Sequence, residues 1–283
     1  MSLHAPRPAV ARHAPSGMFT LNDWLSSGPH VIGATGGSGT RVVARIVRRG
    51  GMFIGTTLNR AEDAIAFGAY SDRWINEFMR DRWLAPPAPT TEAAMVRDLH
   101  DLLEAHLSPL TPAGARWGWK EPRSIYLLPF WHRQLPALKF LHVVRDGRDM
   151  AYSGNQNQLV RHGDAVFEDG SAAWGQPRRS IALWSRINLL AADYGETRLR
   201  AHYLRVRFED LCATPVPVIS RIFEFFGLRG DIARIAEAEV RPPESLGRWR
   251  ARDAATLAEL HRLGGAALAR FGYGPAQPDA SVR

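Results

Sequence analysis

The sequence predicts an α/β protein in which a parallel central sheet carries helices on both faces. Short apolar runs that read as buried strands alternate with longer amphipathic segments, the pattern of a covered parallel sheet. Phe140, Leu141, Val143 and Val144 form an almost unbroken apolar run, as a strand buried on both sides does. A glycine-rich loop joins the first strand to the first helix, and in such sheets ligands sit at the carboxyl ends of the strands.

Taken in order, Val31, Ile32 and Ala34 mark a short strand at 30–34. Val42, Val43, Ile46 and Val47 share one face of a helix over 40–49, whose end is punctuated by Gly50-Gly51. A short strand at 52–54 and a helical region over 61–82 follow, broken by Pro86, Pro87 and Pro89. Met95, Leu99, Leu102 and Leu103 have helical spacing. A further helix leads to the strand at 138–144. Residues 160–178 are polar, glycine-containing and aperiodic, and read either as an acceptor-binding lid or as a surface loop. Helices flank a last strand near 203–207 and finish the chain.

Composition bounds what the chain does. Its 283 residues, 45% of them hydrophobic, suffice for one large core or two small ones. No apolar run reaches the ~18 residues that suggest a membrane span. Residues 1–20 carry no continuous apolar stretch and read as a disordered arm, not a secretory signal; residues 21–283 read as one domain. Cys212 is the only cysteine, so no intrachain disulfide forms, and a reducing, cytoplasmic setting is expected. The net charge is +8. Its arginines are dispersed and no nucleic-acid motif accompanies them, so no nucleic-acid partner is expected. Only Lys120 and Lys139 among the 36 cationic residues are lysines, which draws attention to Lys120.

The loop holds Gly33, Gly36, Gly37 and Gly39 together with Thr35, Ser38 and Thr40. Glycines let successive N–H groups turn toward one point, and a helix N-terminus adds free donors and partial positive charge. The combination is an anion site suited to phosphate. It is not an ordinary triphosphate loop, because after Gly33 the sequence reaches Ser38-Gly39 with no lysine following. Downstream, the strand through Val144 ends in Arg145-Asp146-Gly147-Arg148-Asp149, and Ser153 falls about two helical turns later. A guanidinium fork with a nearby hydroxyl is a phosphate cage. Read blandly, Arg145 would only pair with Asp149 and Ser153 would lie on a helix surface.

Ser38-Gly39-Thr40 resembles the phosphosulfate loop of sulfotransferases that use 3′-phosphoadenosine 5′-phosphosulfate (PAPS). The R-D-x-R-D-x-x-x-S pattern from Arg145 to Ser153 resembles that family's 3′-phosphate motif. Lys120-Glu121-Pro122 is similar to its K-x-P segment, and Phe208-Glu209-Asp210-Leu211 to its tyrosine-glutamate-aspartate-leucine turn, with Phe208 in the tyrosine slot. The resemblance covers roughly 29–250 and implies a P-loop-NTPase-like fold. It implies PAPS as co-substrate, 3′-phosphoadenosine 5′-phosphate (PAP) as product, no metal, and a hydroxyl or amine acceptor on a lipid, saccharide or small molecule. By the same resemblance Gly36, Gly37, Ser38, Gly39, Thr40, Arg41, Arg145 and Ser153 bind the nucleotide. Arg248, behind Gly247, returns to it, unless that stretch is a plain surface loop. Gly37 stands where the family carries a cation, leaving Lys120 as leaving-group cation and Arg41 as helper. The base is Asp63 or Glu121. Two alternatives remain at this point: a small-molecule kinase with an irregular P-loop, and a nucleotide-binding module without catalysis.

Overall fold

The computed structural model describes residues 24–80, 83–110, 115–167 and 173–274, so the arm expected over 1–20 lies outside the described residues. Four parallel strands form the sheet: β1 (His30–Gly33), β2 (Gly118–Lys120), β3 (Lys139–Val144) and β4 (Tyr203–Arg207). Their order is β2-β1-β3-β4. Val31 sits between Trp119 and Phe140, and Leu141 stands beside Leu204.

Successive side chains of a strand face opposite ways, and here both faces are buried. Val31 and Phe140 enter one apolar cluster with Phe67, Trp119 and Trp131. Ile32, Leu141, Val143 and Val206 enter the other with Val43, Ile46, Val47 and Ile219. The helices supplying these layers are α1 (Thr40–Arg49), α2 (Ile65–Arg80), α3 (Pro89–Leu107), α4 (Leu128–Gln134), α5 (Gly147–Ala151) and α6 (Asn157–Val166). They continue as α7 (Gln176–Tyr194), α8 (Phe208–Ala213), α9 (Pro215–Phe226), α10 (Ile232–Glu239) and α11 (Ala254–Arg270). The α/β class and its two-faced parallel sheet are as the sequence predicts.

Three local expectations are corrected. Residues 52–54 form no strand; Phe53 makes a single parallel bridge to Trp117. Gly51 and Gly55, at φ 86° and 109°, turn the chain away on either side. Most of 160–178 is helical, with α6 running to Val166 and α7 beginning at Gln176; residues 168–172 lie outside the described ones. Finally, α5 stops at Ala151, so Ser153 stands in the turn after it instead of two turns along a helix. Asp146 caps α5 by accepting the Arg148 N–H at 2.9 Å, and the Tyr152 and Ser153 N–H groups close the end on Asp149 and Met150.

Candidate active site

The carboxyl ends of β1, β2 and β3 open onto a cleft of about 680 Å³. Its floor is the glycine loop. Gly37 and Gly39 both have left-handed backbone, at φ 81° and 84°. At Gly39 a Cβ would stand 2.2 Å from the Phe208 ring, so glycine is what lets the loop and α8 close together. Gly36, Thr40 and Arg41 also line the cleft, with Arg41 exposed. Ser38 does not: its hydroxyl donates to the Thr35 carbonyl at 2.7 Å and is buried. The tight turn spends that hydroxyl on itself.

A buried polar chain braces the loop from beneath. Asn188 Nδ2 donates to Thr35 Oγ1 at 3.3 Å, and its Oδ1 lies 2.8 Å from His142 Nε2. His142 Nδ1 lies 2.7 Å from the Tyr203 hydroxyl. Burial pushes the His142 imidazole down to about 4, so it is neutral here. Its Nε2–H donates to Asn188, and Tyr203 donates to Nδ1.

On the β3 side the structure brings Arg145, Ser153 and Arg248 to the same cleft. Arg145 is buried; Nη2 donates to Asp149 at 2.9 Å and to the Ser245 carbonyl at 2.6 Å, and Nη1 reaches Gly37 O at 3.4 Å. The Arg145–Asp149 pair of the bland reading exists, and among the described residues the buried Arg145 Nε–H has no partner. Asp149 also accepts the Gly247 N–H at 2.8 Å and the Trp249 N–H at 3.3 Å. That ties residues 245–249 across Arg145 and sets Arg248 at the rim, where Nη1 donates to Tyr152 O at 2.9 Å. Glu209 joins the neighbouring motif by accepting the Asp146 N–H at 2.9 Å.

At the end of β2, Lys120 is 1% exposed. Its Nζ donates to Ala61 O at 2.7 Å and pairs with Asp63 Oδ1. Burial lowers its pKa, against the pull of Asp63. Asn59 shapes the turn that presents Asp63, accepting the N–H groups of Ala61 and Asp63 at 2.8 and 2.9 Å and donating to Asp63 Oδ2 at 2.9 Å. Both oxygens of Glu121 are engaged, Oε1 by Arg123 Nε at 2.9 Å and Oε2 by Ser71 at 3.2 Å. Burial raises the Glu121 pKa, with Arg123 opposing. Of the two carboxylates read as candidate bases, Asp63 is the one beside the Lys120 ammonium.

Sequence reasoning passed over Asn59, Asp72, Gln158 and Arg161, which also line the cleft. Only Asn59 left a signal, an Asn followed by backbone donors at turn spacing. The structure also accounts for Gly37. A side chain there would adopt left-handed backbone, and its Cβ would stand 3.2 Å from Ser153 Oγ. Gly37→Lys is thus expected to lower stability by about 1–2 kcal/mol, which urea melts check.

Comparison with known proteins adds three findings. A family model described as "Sulfotransferase family" matches residues 34–231. No curated protein matches the chain. Among solved structures, a sulfotransferase domain from the curacin biosynthetic pathway aligns with TM-score 0.52 and 14% identity, over 88% of this chain and 99% of that one. A sulfotransferase domain from the Synechococcus PCC 7002 olefin synthase gives 0.53 and 16%, over 89% and 96%. Sulfotransferase STF9 from Mycobacterium avium gives 0.51 and 11%, over 88% and 78%. At such identities the likeness is one of fold.

Proposed function

The chain belongs to the sulfotransferase family, and from that premise we propose that it moves a sulfuryl group from PAPS to an acceptor hydroxyl or amine. One observation supports this reading furthest: the buried Arg145 guanidinium lines the cleft beside Gly37, and Ser153 and Arg248 line it too. A buried cation in a cleft wall suits an anionic oxygen as its ligand. Arg145, Ser153 and Arg248 therefore suit the 3′-phosphate, as charge-assisted donors around one anion. The N–H groups of the loop and of the first turn of α1 suit the 5′ end.

PAPS supplies an activated sulfuryl group whose departure leaves charge on a phosphate oxygen. In the resting cleft Lys120 is held by Asp63. Lys120 meets the charge that develops, Arg41 assists from the first turn of α1, and Asp63, released from its partner, takes the acceptor proton. Placing a fixed cation where charge develops lowers the barrier without reorganisation. Glu121 has a supporting part, since it holds Arg123 against the wall.

Transfer of label from PAPS to an acceptor is the direct test. That transfer is expected to be unchanged by EDTA. Among the described residues no group of three or more His, Cys, Asp or Glu side chains is placed to hold a metal ion. A single phosphate beside the sulfuryl group also offers no β,γ bridge for Mg²⁺. Activity abolished by EDTA and restored by Mg²⁺ would point to phosphoryl transfer. Among the described residues no helix is long and apolar enough to cross a membrane.

A further inference from the structure

We propose that the acceptor is an uncharged, polyhydroxylated molecule, a sugar or polyol, taken up on the β2 side of the cleft. The proposal rests on the sulfuryl-transfer reading and names the substrate class of the same site. Strand order assigns the two halves. β1 lies between β3 and β2, and Arg145, Ser153 and Arg248 gather at the end of β3. With the nucleotide on that side, the acceptor is left the space beyond Lys120, at the end of β2.

That half has an unusual wall. Among the described residues, its lining comes from the 59–63 turn, Asp72 on α2, Glu121 and Arg123 after β2, and Asn157 and Arg161 on α6. Only Ala61 and Pro122 there lack a polar side chain. Aromatic residues are not scarce nearby, but Phe67, Trp119 and Tyr126 are fully turned into the core. A phenol or sterol would find no apolar face to lie on, and would strip water from charged groups without replacing it. Pockets for apolar ligands are lined mainly by hydrophobic and aromatic side chains.

The charges argue further. Three cations and three carboxylates occupy this wall, and they satisfy one another. Asp72 Oδ1 accepts from Arg161 Nη1 at 2.6 Å and from Arg123 Nη1. Arg123 Nε pairs with Glu121 at 2.9 Å, and Lys120 pairs with Asp63. Arg41, which also lines the cleft and acts on Lys120, is the cation given to the leaving phosphate in the proposed reaction; within the wall itself an anionic acceptor would find no cation in excess. What remains is a rim of fixed donors and acceptors, with the Asp72 and Arg161 side chains 42% and 53% exposed and the Asn157 amide open to the cleft. Hydroxyl groups both donate and accept, so several on one ligand can match such a rim.

The test measures PAP affinity by calorimetry and then sulfation of a panel with labelled PAPS. The panel holds methyl glycosides, a neutral disaccharide, glycerol, 4-nitrophenol, a sterol and a glucuronide. The expected result is PAP binding, with kcat/KM for the best uncharged glycoside at least about tenfold above every phenol, sterol or glucuronide. Arg161→Ala combined with Asn157→Ala should raise the glycoside KM about tenfold, leaving kcat and the PAP Kd near those of the parent, as loss of uniform binding does. Failure to bind PAP overturns the sulfuryl-transfer reading itself. PAP binding with a phenol, sterol or glucuronide preferred, or with no glycoside turned over, overturns the acceptor class alone. An unchanged glycoside KM in the double variant overturns the assignment of this wall.

Discussion

Arg145→Ala is expected to weaken PAP binding by well over tenfold while affinity for ADP or AMP changes little. Truncating one partner of a buried charge pair costs about 2–5 kcal/mol, and every 1.4 kcal/mol is tenfold in affinity. Arg145 is buried at the end of β3 and lines the cleft. Wild-type protein should accordingly bind PAP more tightly than ADP or AMP, since a cage of Arg145, Ser153 and Arg248 is wasted on a nucleotide without a 3′-phosphate. The substitution also leaves Asp149, among the described residues, with the Gly247 and Trp249 N–H groups as its remaining donors, so some loss of stability accompanies it. The PAP-to-ADP affinity ratio separates the two effects. Loosened residues 245–249 would weaken both nucleotides alike, whereas loss of the anion cage collapses the ratio. Arg145→Lys, which keeps the charge but not the fork, should recover part of it. Calorimetry that finds equal affinity for PAP and ADP in the wild-type protein would refute the reading.

The framework of this site was legible in the sequence because its signals are local and redundant. The strand at 30–34 is apolar and is followed at once by glycines. Arg145 and Ser153 sit at a fixed spacing beyond a continuous apolar run. Gly227 ends α9 in left-handed backbone at φ 67°, which is what a glycine after an apolar-periodic helix indicates. The helix at Asn157–Val166 is hidden for a physical reason: it buries Gln158, His162 and Gly163 alongside Leu159, Ala165 and Val166 and leaves Val160 exposed, so apolar residues alone do not mark its inner face. Gln158 is held between the Tyr126 hydroxyl and the Ala34 carbonyl, a partnership no periodicity announces. The short edge at Phe53 was over-read because its composition is that of a strand, while the glycines beside it permit a single bridge. The cleft wall beyond Lys120 is illegible for another reason. Asp72 and Arg161 look like solvated helix residues until folding pairs Asp72 with both Arg161 and Arg123.

Lys120→Ala is expected to lower turnover about 10²–10³-fold, the usual cost of removing one preorganised donor to a developing charge. The affinity for PAPS should change little, because the contact strengthens only as charge moves onto the leaving oxygen. Lys120 can act this way because the fold buries and fixes it: it is 1% exposed, and its ammonium is anchored by Ala61 O and Asp63. Burial lowers its pKa below the ordinary lysine value of 10.5. The protonated form is the active one, so kcat/KM should fall with rising pH through that lowered value, earlier than a solvated lysine would titrate. Lys120→Ala should lose that alkaline limb as well as the rate. Arg41 is the natural comparison, since it is exposed on the first turn of α1 and, among the described residues, no carboxylate holds it as Asp63 holds Lys120. Arg41→Ala is expected to cost less. Should Lys120→Ala keep near-normal turnover while Arg41→Ala is inactive, the two roles are reversed. If Asp63→Asn instead matches the loss in Lys120→Ala with the alkaline limb preserved, Asp63 acts as the base and not merely as the anchor of the lysine.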